Sequence, residues 1–189
     1  MDFTTGKKAQ KYYNAGTQML AKLNQSSSHK RDYIRTINYL QKAVELDPNS
    51  AYSFHNLSHA WYKFAENEYF LILNNNQFKN LKDYENAVKV ATEKGEDKLS
   101  MERLRQKYIG EQGKFGLISG YFVFALQAAD RALEIQFNFP QAHNTRAMIL
   151  AKLNRPDEAL EAAEFAISQA PDYKNAIDNR EKIKKLIKE

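Results

Sequence analysis

Cysteine is missing from the 189-residue chain. Its absence excludes disulfide bonds, thiolate metal sites and cysteine nucleophiles. A chain without cysteine fits a reducing compartment. Because no targeting signal is recognisable in the sequence, the cytoplasm is our default expectation, with an organelle left open. The sequence also lacks any run that approaches the roughly 20 apolar residues of a membrane-spanning helix. We therefore expect no membrane span.

Glycine and proline are scarce, with 7 and 4 residues respectively. Few helix breakers together with many Ala, Leu, Lys, Glu and Gln residues favour helices. The nearest approach to an alternating strand pattern lies at residues 121–124, but the spacing after Ala125 is helical. The sequence therefore predicts an all-α fold.

Charge of one sign is not concentrated anywhere. The chain has 28 Lys and Arg against 23 Asp and Glu, a net charge of +5, and the two signs are mixed along the sequence. This pattern is typical of a solvated surface, and an acidic partner is the alternative interpretation.

Phosphate-binding and catalytic motifs are also missing. The sequence contains neither a GxxxxGK[ST] nor a GxGxxG pattern, so it has no glycine-rich loop that cradles a phosphate. His55 and His59 are four residues apart and form a candidate metal pair, but neither an HExxH motif nor a third ligand accompanies them. We expect no enzyme activity, no metal and no cofactor.

Two prolines enclose a segment of small side chains near the end of the chain. Pro156 suits the first turn of a helix, and Pro171 cannot continue one. Four alanines recur between them at three- and four-residue spacing: Ala159, Ala162, Ala163 and Ala166. They form one helix face of methyl groups, so we predict a helix at 157–169 that a second helix approaches closely.

The segment before this helix predicts its partner. Residues 140–153 also have helical spacing, and only Arg155 and Pro156 connect the two segments, so the helices must be antiparallel neighbours. The whole unit, 140–173, spans 34 residues. A similar arrangement surrounds Pro48, where one helical segment ends and another, 51–64, begins.

These units resemble the tetratricopeptide repeat, a helix–turn–helix of 34 residues. The resemblance implies an all-α, right-handed superhelical array of antiparallel helix pairs. We expect one domain over 1–189 with about nine helices in about four repeats, two of which carry insertions, and a C-terminal capping helix. The approximate limits of the repeats and the cap are 5–50, 51–97, 98–139, 140–173 and 174–189. The third repeat would comprise helices at 98–112 and 116–137.

The resemblance also implies where a partner binds, because the first helix of each repeat lines a concave groove in this family. Carried over, the groove of the second repeat comprises Tyr52, His55, Asn56, His59, Tyr62 and Lys63. The unit from Pro140 contributes Gln141, Asn144, Thr145, Met148 and Lys152. Such a surface can hydrogen-bond a peptide or helix and bury an apolar side chain. For each residue the alternative is solvent exposure without a partner.

Some members of the family clamp the C-terminal carboxylate of chaperones with lysine, asparagine and arginine side chains. Of the five places that the resemblance assigns to the clamp, Asn56 and Arg103 match, whereas Tyr13, Thr17 and Leu99 do not. Since the two lysines are missing, most charge-assisted bonds to a carboxylate are lost. We predict no strong binding of chaperone tails.

An apolar run in the second repeat offers another contact. Phe70, Leu71, Ile72 and Leu73 lie within an insertion at 66–82. Either the first helix of this repeat continues through the run, with Tyr69, Leu71 and Leu73 packed inward, or the run is an exposed patch that docks into a larger assembly.

Three functions therefore stay open. The first is a non-catalytic adaptor that holds another protein in its groove, and the second is a structural subunit docked through residues 66–82. The third is an RNA-binding repeat protein, suggested by the interleaved basic and aromatic residues at 101–115. The weak net charge argues against nucleic acid.

Overall fold

A computed structural model describes residues 3–23 and 28–188. Within these residues there are eight helices and no strand, which confirms the predicted all-α fold. The helices are α1 (Phe3–Lys22), α2 (Lys30–Leu46), α3 (Ala51–Asn75), α4 (Leu81–Glu93), α5 (Lys98–Ile135), α6 (Pro140–Lys152), α7 (Pro156–Gln169) and α8 (Lys174–Lys188).

The chain forms two compact units. The second unit is Ala65–Gly120, and the first unit comprises the residues before and after it. Helices α3 and α5 each contribute residues to both units. The insertion is therefore larger than the predicted segment 66–82, which covers only its first part.

Helices α1 and α2 form the first antiparallel pair of the first unit. Gly16 of α1 faces Leu40 of α2 so closely that an added Cβ would lie 2.7 Å from the Leu40 side chain. A larger residue at this position would therefore require the Leu40 side chain to shift. The predicted insertion at 24–31 lies partly outside the described residues, since these omit 24–27.

The second pair joins α3 to the C-terminal part of α5. Ser58 is fully buried, and its hydroxyl donates a 2.7 Å hydrogen bond to the Ala125 carbonyl. The predicted helix pair 98–112 and 116–137 is wrong, because these residues form the single helix α5. Ile118 and Phe122 continue the buried face of Glu111 at helical spacing, and this packing outweighs the low helix propensity of Gly110, Gly113 and Gly116.

Helices α6 and α7 form the third pair, as the short connection predicts. All four alanines of the predicted methyl face, Ala159 to Ala166, are buried. Helix α8 packs against α7 and α6 and buries Ala176, Asn179 and Ile183. These residues place α8 where a capping helix was expected.

The second unit has a small aromatic core of its own. Phe78 is buried, and the rings of Tyr84 and Tyr108 both contact it. These two tyrosine rings stack on each other with their centroids 4.6 Å apart. The buried carboxylate of Glu111 accepts hydrogen bonds from the backbone N–H groups of Gln77 and Phe78 at 3.2 and 2.7 Å. A side chain of α5 thereby holds the turn that follows α3.

Candidate functional site

The first helices of the pairs lie side by side in the first unit. The Asn56 amide donates a 3.0 Å hydrogen bond to Thr17 Oγ1, which joins α3 to α1. The Tyr52 and His55 rings lie 5.0 and 4.9 Å from the ring of Phe139, which immediately precedes α6. Three residues predicted to line the groove therefore contact residues of α1 or of the turn before α6.

Asn144 provides a similar contact between α6 and α8. The Asn179 amide donates a 2.9 Å hydrogen bond to Asn144 Oδ1. Asn144 in turn donates to the Tyr173 hydroxyl at 3.4 Å. Both halves of the Asn144 amide are thus engaged within the chain. We use the name first-helix surface for the surface formed by α1, by α3 as far as Phe64, and by α6. The predicted contact residues lie on this surface.

The eleven predicted groove residues differ in accessibility. Tyr62 is buried and packs its ring 5.9 Å from Phe122, and Thr145 is buried with its hydroxyl bonded to the Gln141 carbonyl at 3.0 Å. Asn144 is buried as well. Eight remain accessible: Tyr52, Gln141 and Lys152 are exposed, and His55, Asn56, His59, Lys63 and Met148 are half-buried.

His55 is the most perturbed group on this surface. Its Nδ1 atom is buried and has no hydrogen-bond partner among the residues described. Burial, and then the charge of His59, lowers the pKa of His55 from its ordinary value of 6.5 to about 4. His55 is therefore uncharged at neutral pH, and the first-helix surface presents its imidazole as a neutral group.

The His55–His59 pair has no further metal ligand nearby. The ring centroids are 6.4 Å apart. In the two stretches that the structure describes, no group of three or more His, Cys, Asp or Glu side chains is arranged to hold an ion. Two imidazoles alone do not complete the four-coordinate shell that Zn²⁺ requires.

Residues 70–73 lie near the end of α3, which continues to Asn75. Phe70 and Leu71 are 63% and 44% exposed, whereas Ile72 and Leu73 are half-buried. The expectation of a longer helix is confirmed, but Tyr69 and Leu71 do not pack inward as that interpretation required. None of the described helices is both long and apolar enough to cross a bilayer.

Sequence reasoning did not identify the intramolecular partners of the groove asparagines. Thr17 was considered only as a clamp position, and Tyr173 and Asn179 were not considered at all. The sequence does show that Asn56 and Asn179 occupy similar places, since both occur near the start of a helix that follows a proline-containing turn. This similarity does not reveal which distant residues they bond, because spacing reports only on local structure.

Antiparallel helix pairs with their first helices in a row define a helical-repeat protein. The family model for a tetratricopeptide repeat matches residues 140–173. Among curated proteins, no sequence matches the chain.

Solved structures extend the likeness over almost the whole chain. The first tetratricopeptide repeat domain of Spaghetti (RPAP3), bound to an HSP90 peptide, has a TM-score of 0.60 at 14% identity and covers 97% of this chain and 96% of its own. The Arabidopsis OM64 domain also scores 0.60, at 13% identity over 96% and 98%. The first such domain of human RPAP3 scores 0.60, at 12% identity over 96% and 94%. The chain therefore matches the tetratricopeptide repeat over residues 140–173, and its fold is similar to that of these domains over almost its whole length.

Proposed function

We propose that this protein is a non-catalytic interaction module that binds a segment of another protein along the first-helix surface. The observation that carries the proposal is the continuity of this surface, since contacts of Asn56 with Thr17 and of His55 with Phe139 bring α1, α3 and α6 together. The similar Spaghetti (RPAP3) domain is bound to a peptide of HSP90, which supports a peptide as the ligand.

The chemistry of the surface favours an uncharged segment. Lys63 and Lys152 are the only charged side chains among the predicted contact residues. Tyr52, Gln141 and Met148 instead offer an aromatic ring, an amide and a thioether to solvent. Groups of this kind hydrogen-bond a peptide backbone and cover apolar side chains without requiring charge on the ligand.

The carboxylate clamp fits this chain poorly. Because α5 is one helix, α6 is the first helix of the third pair, and we infer that the clamp lysine and arginine places fall to Gln141 and Thr145 instead of Leu99 and Arg103. Without these cations a terminal carboxylate would lose its charge-assisted bonds. We expect no binding of an EEVD-ending peptide at micromolar concentration, and calorimetric detection of such binding would contradict this view of the surface.

Affinity purification from the native organism, followed by mass spectrometry, tests the proposal. The variant Tyr52→Ala/Gln141→Ala/Lys152→Ala changes exposed side chains only, so its fold should be retained. Glu164→Ala, an exposed position of α7, is the matched control. Loss of one partner with the triple variant alone is expected. If all partners persist with both variants, binding does not use the first-helix surface.

A second candidate function is supported by the exposed apolar residues of the second unit. Phe70 and Leu71 are exposed on a helix, where they could anchor the chain in a larger assembly. Phe70→Ser/Leu71→Ser should then remove a fixed set of co-purifying subunits, while circular dichroism shows unchanged helicity. Retention of those subunits would argue against the candidate. RNA binding has no comparable observation in its favour.

A further inference from the structure

A groove lined by aromatic and aliphatic side chains lies between α2, α3 and α5 in the first unit. Its apolar lining residues are Val44, Leu57 and Ala128 together with the aromatic residues Phe54, Trp61 and Phe124. Its volume is about 350 Å³, near the lower end of the range for ligand sites. We call it the α2–α5 groove; its α2 and α5 residues come from the second helices of their pairs and not from the first-helix surface.

The aromatic side chains of the groove are partly accessible. Phe124 is 49% exposed, and its ring lies 5.3 Å from that of Trp61, which is itself half-buried. The Tyr121 ring also stacks on Trp61, at 5.9 Å. The indole ring is thus held in place by its neighbours while part of its surface faces the groove, so the groove exists before any ligand arrives.

Hydrogen-bonding groups of the groove are free. Gln41 of α2 and Gln127 of α5 both line the groove. Across residues 3–23 and 28–188, neither amide nor the indole N–H of Trp61 has a hydrogen-bond partner. Two amides and an indole therefore offer donors to a ligand at the edge of an apolar surface.

The charges beside the groove are already paired. Arg131, which lies 5.9 Å from the Phe54 ring, bonds Glu134 at 2.8 Å, and Lys42 bonds Glu45 at 2.9 Å. No lining residue carries charge. The electrostatic complement of this groove is therefore an uncharged ligand that is rich in hydrogen-bond acceptors.

We propose that the α2–α5 groove binds a proline-rich segment in the polyproline II conformation. This conformation has no internal hydrogen bonds, so its carbonyl groups remain free to accept from Trp61, Gln41 and Gln127. Its uncharged proline rings can pack on the exposed parts of the aromatic side chains, and its stiffness reduces the entropy lost on binding. An amphipathic helix would leave the donors unused because its own carbonyls are already bonded, and a nucleic acid would require cations.

An intrinsic fluorophore of the chain lies in the α2–α5 groove. Trp61 is the single tryptophan, so intrinsic fluorescence reports on the groove directly. Titration with decaproline is expected to shift and quench Trp61 emission and to protect it from acrylamide. Gln41→Ala/Gln127→Ala should weaken binding at least about fivefold, and Phe124→Ala should weaken it further, about tenfold or more.

Matched controls distinguish binding in the α2–α5 groove from binding elsewhere on the chain. Gln141→Ala, an exposed amide on the first-helix surface, should leave the titration unchanged. A glycine–serine peptide of the same length should give no response. Because Gln41 and Gln127 are exposed, their replacement keeps the test valid even if Phe124→Ala unfolds. An unchanged Trp61 signal with decaproline, an equal response to the glycine–serine peptide or to an amphipathic helix, or unaltered affinity of the double glutamine variant would overturn the proposal.

Discussion

Ser58 and Ala125 are 67 positions apart, yet the Ser58 hydroxyl donates a 2.7 Å hydrogen bond to the Ala125 carbonyl. Both residues are fully buried. The bond joins α3 to α5, and the whole second unit lies between its two residues in the sequence. It thus identifies the C-terminal part of α5 as the second helix of the pair that begins at Ala51.

Ser58→Ala should lower the free energy of unfolding by about 0.5–1.5 kcal/mol, since one buried hydrogen bond is lost with little change in volume. Ser58→Leu should cost more, because the added carbons have no space between α3 and α5. Urea denaturation followed by circular dichroism measures both. Ser119→Ala, an exposed serine of α5, is the control and should change stability by less than about 0.5 kcal/mol. Equal effects at both positions would show that the Ser58 bond contributes nothing.

Ala159→Leu should separate α6 from α7. Ala159 is fully buried, so a larger side chain displaces one helix at a cost of about 1–3 kcal/mol. Thermal and urea unfolding provide the measurement, with Glu161→Leu at an exposed position of the same helix as control. An unchanged melting temperature for Ala159→Leu would refute the close approach of the two helices.

The pH dependence of stability should contain a contribution from His55. Its pKa in the folded chain is about 4, below the ordinary value of 6.5, so the unfolded chain binds the proton first as pH falls. The stabilisation is therefore complete above pH 6.5 and is lost as pH falls to about 4, amounting to roughly 2–4 kcal/mol.

The comparison of wild type with His55→Asn between pH 7.5 and 4.5 isolates this contribution, since carboxylates titrate in both. We expect the stability difference to shrink steadily as pH decreases. His59→Gln should weaken the effect only slightly, because burial is the larger cause of the lowered pKa. A difference that stays constant with pH would mean that the folded chain does not hold His55 as a neutral group.

Four glycines of α5, at 110, 113, 116 and 120, recur at three- and four-residue spacing along one face of the helix. In the described part of the chain, an added Cβ at any of them meets nothing within 4 Å. Gly113→Ala and Gly116→Ala should each stabilise α5 by about 0.5–1 kcal/mol, because alanine orders the helical backbone at lower entropic cost.

Gly16→Ala serves as the opposite case. Its Cβ would lie 2.7 Å from Leu40, so we expect destabilisation by about 1–3 kcal/mol. Urea unfolding measures the stability of the three variants, and hydrogen exchange of the α5 amides measures the local stability of that helix. Destabilisation by Gly113→Ala or Gly116→Ala would reveal a contact that covers this face.

The sequence predicted the third pair well because its signals are local. Pro140 and Pro156 occupy the first turns of α6 and α7, and the alanine face of α7 identifies its packing surface. The predicted break between 112 and 116 failed for a nonlocal reason. Glycines destabilise an isolated helix, but Ile118, Phe122 and the Glu111 bonds to the turn after α3 keep α5 helical through them.

The contact residues of the candidate site stay a prediction. The resemblance predicted which helices are neighbours, and the Asn56–Thr17 bond joins α3 to α1 while the Asn144–Asn179 bond joins α6 to α8. It could not reveal that Tyr62 and Thr145 are buried, because burial depends on Phe122 and other neighbours that lie far away in sequence. The α2–α5 groove was missed for the same reason, since three helices contribute to it.

The hydrogen bonds of the Asn144 amide limit which capping helices could replace α8 in a chimeric helical-repeat protein. Its oxygen accepts from Asn179, and its nitrogen donates to Tyr173, so α8 supplies a specific partner as well as a cover for apolar surface. A generic polar helix grafted in place of α8 would leave a buried amide oxygen unsatisfied and would tolerate sliding by one turn. A successful graft must therefore carry a hydrogen-bond donor that reaches the Asn144 oxygen from the place of Asn179, which makes the cap a matched component of this array and not an interchangeable end piece.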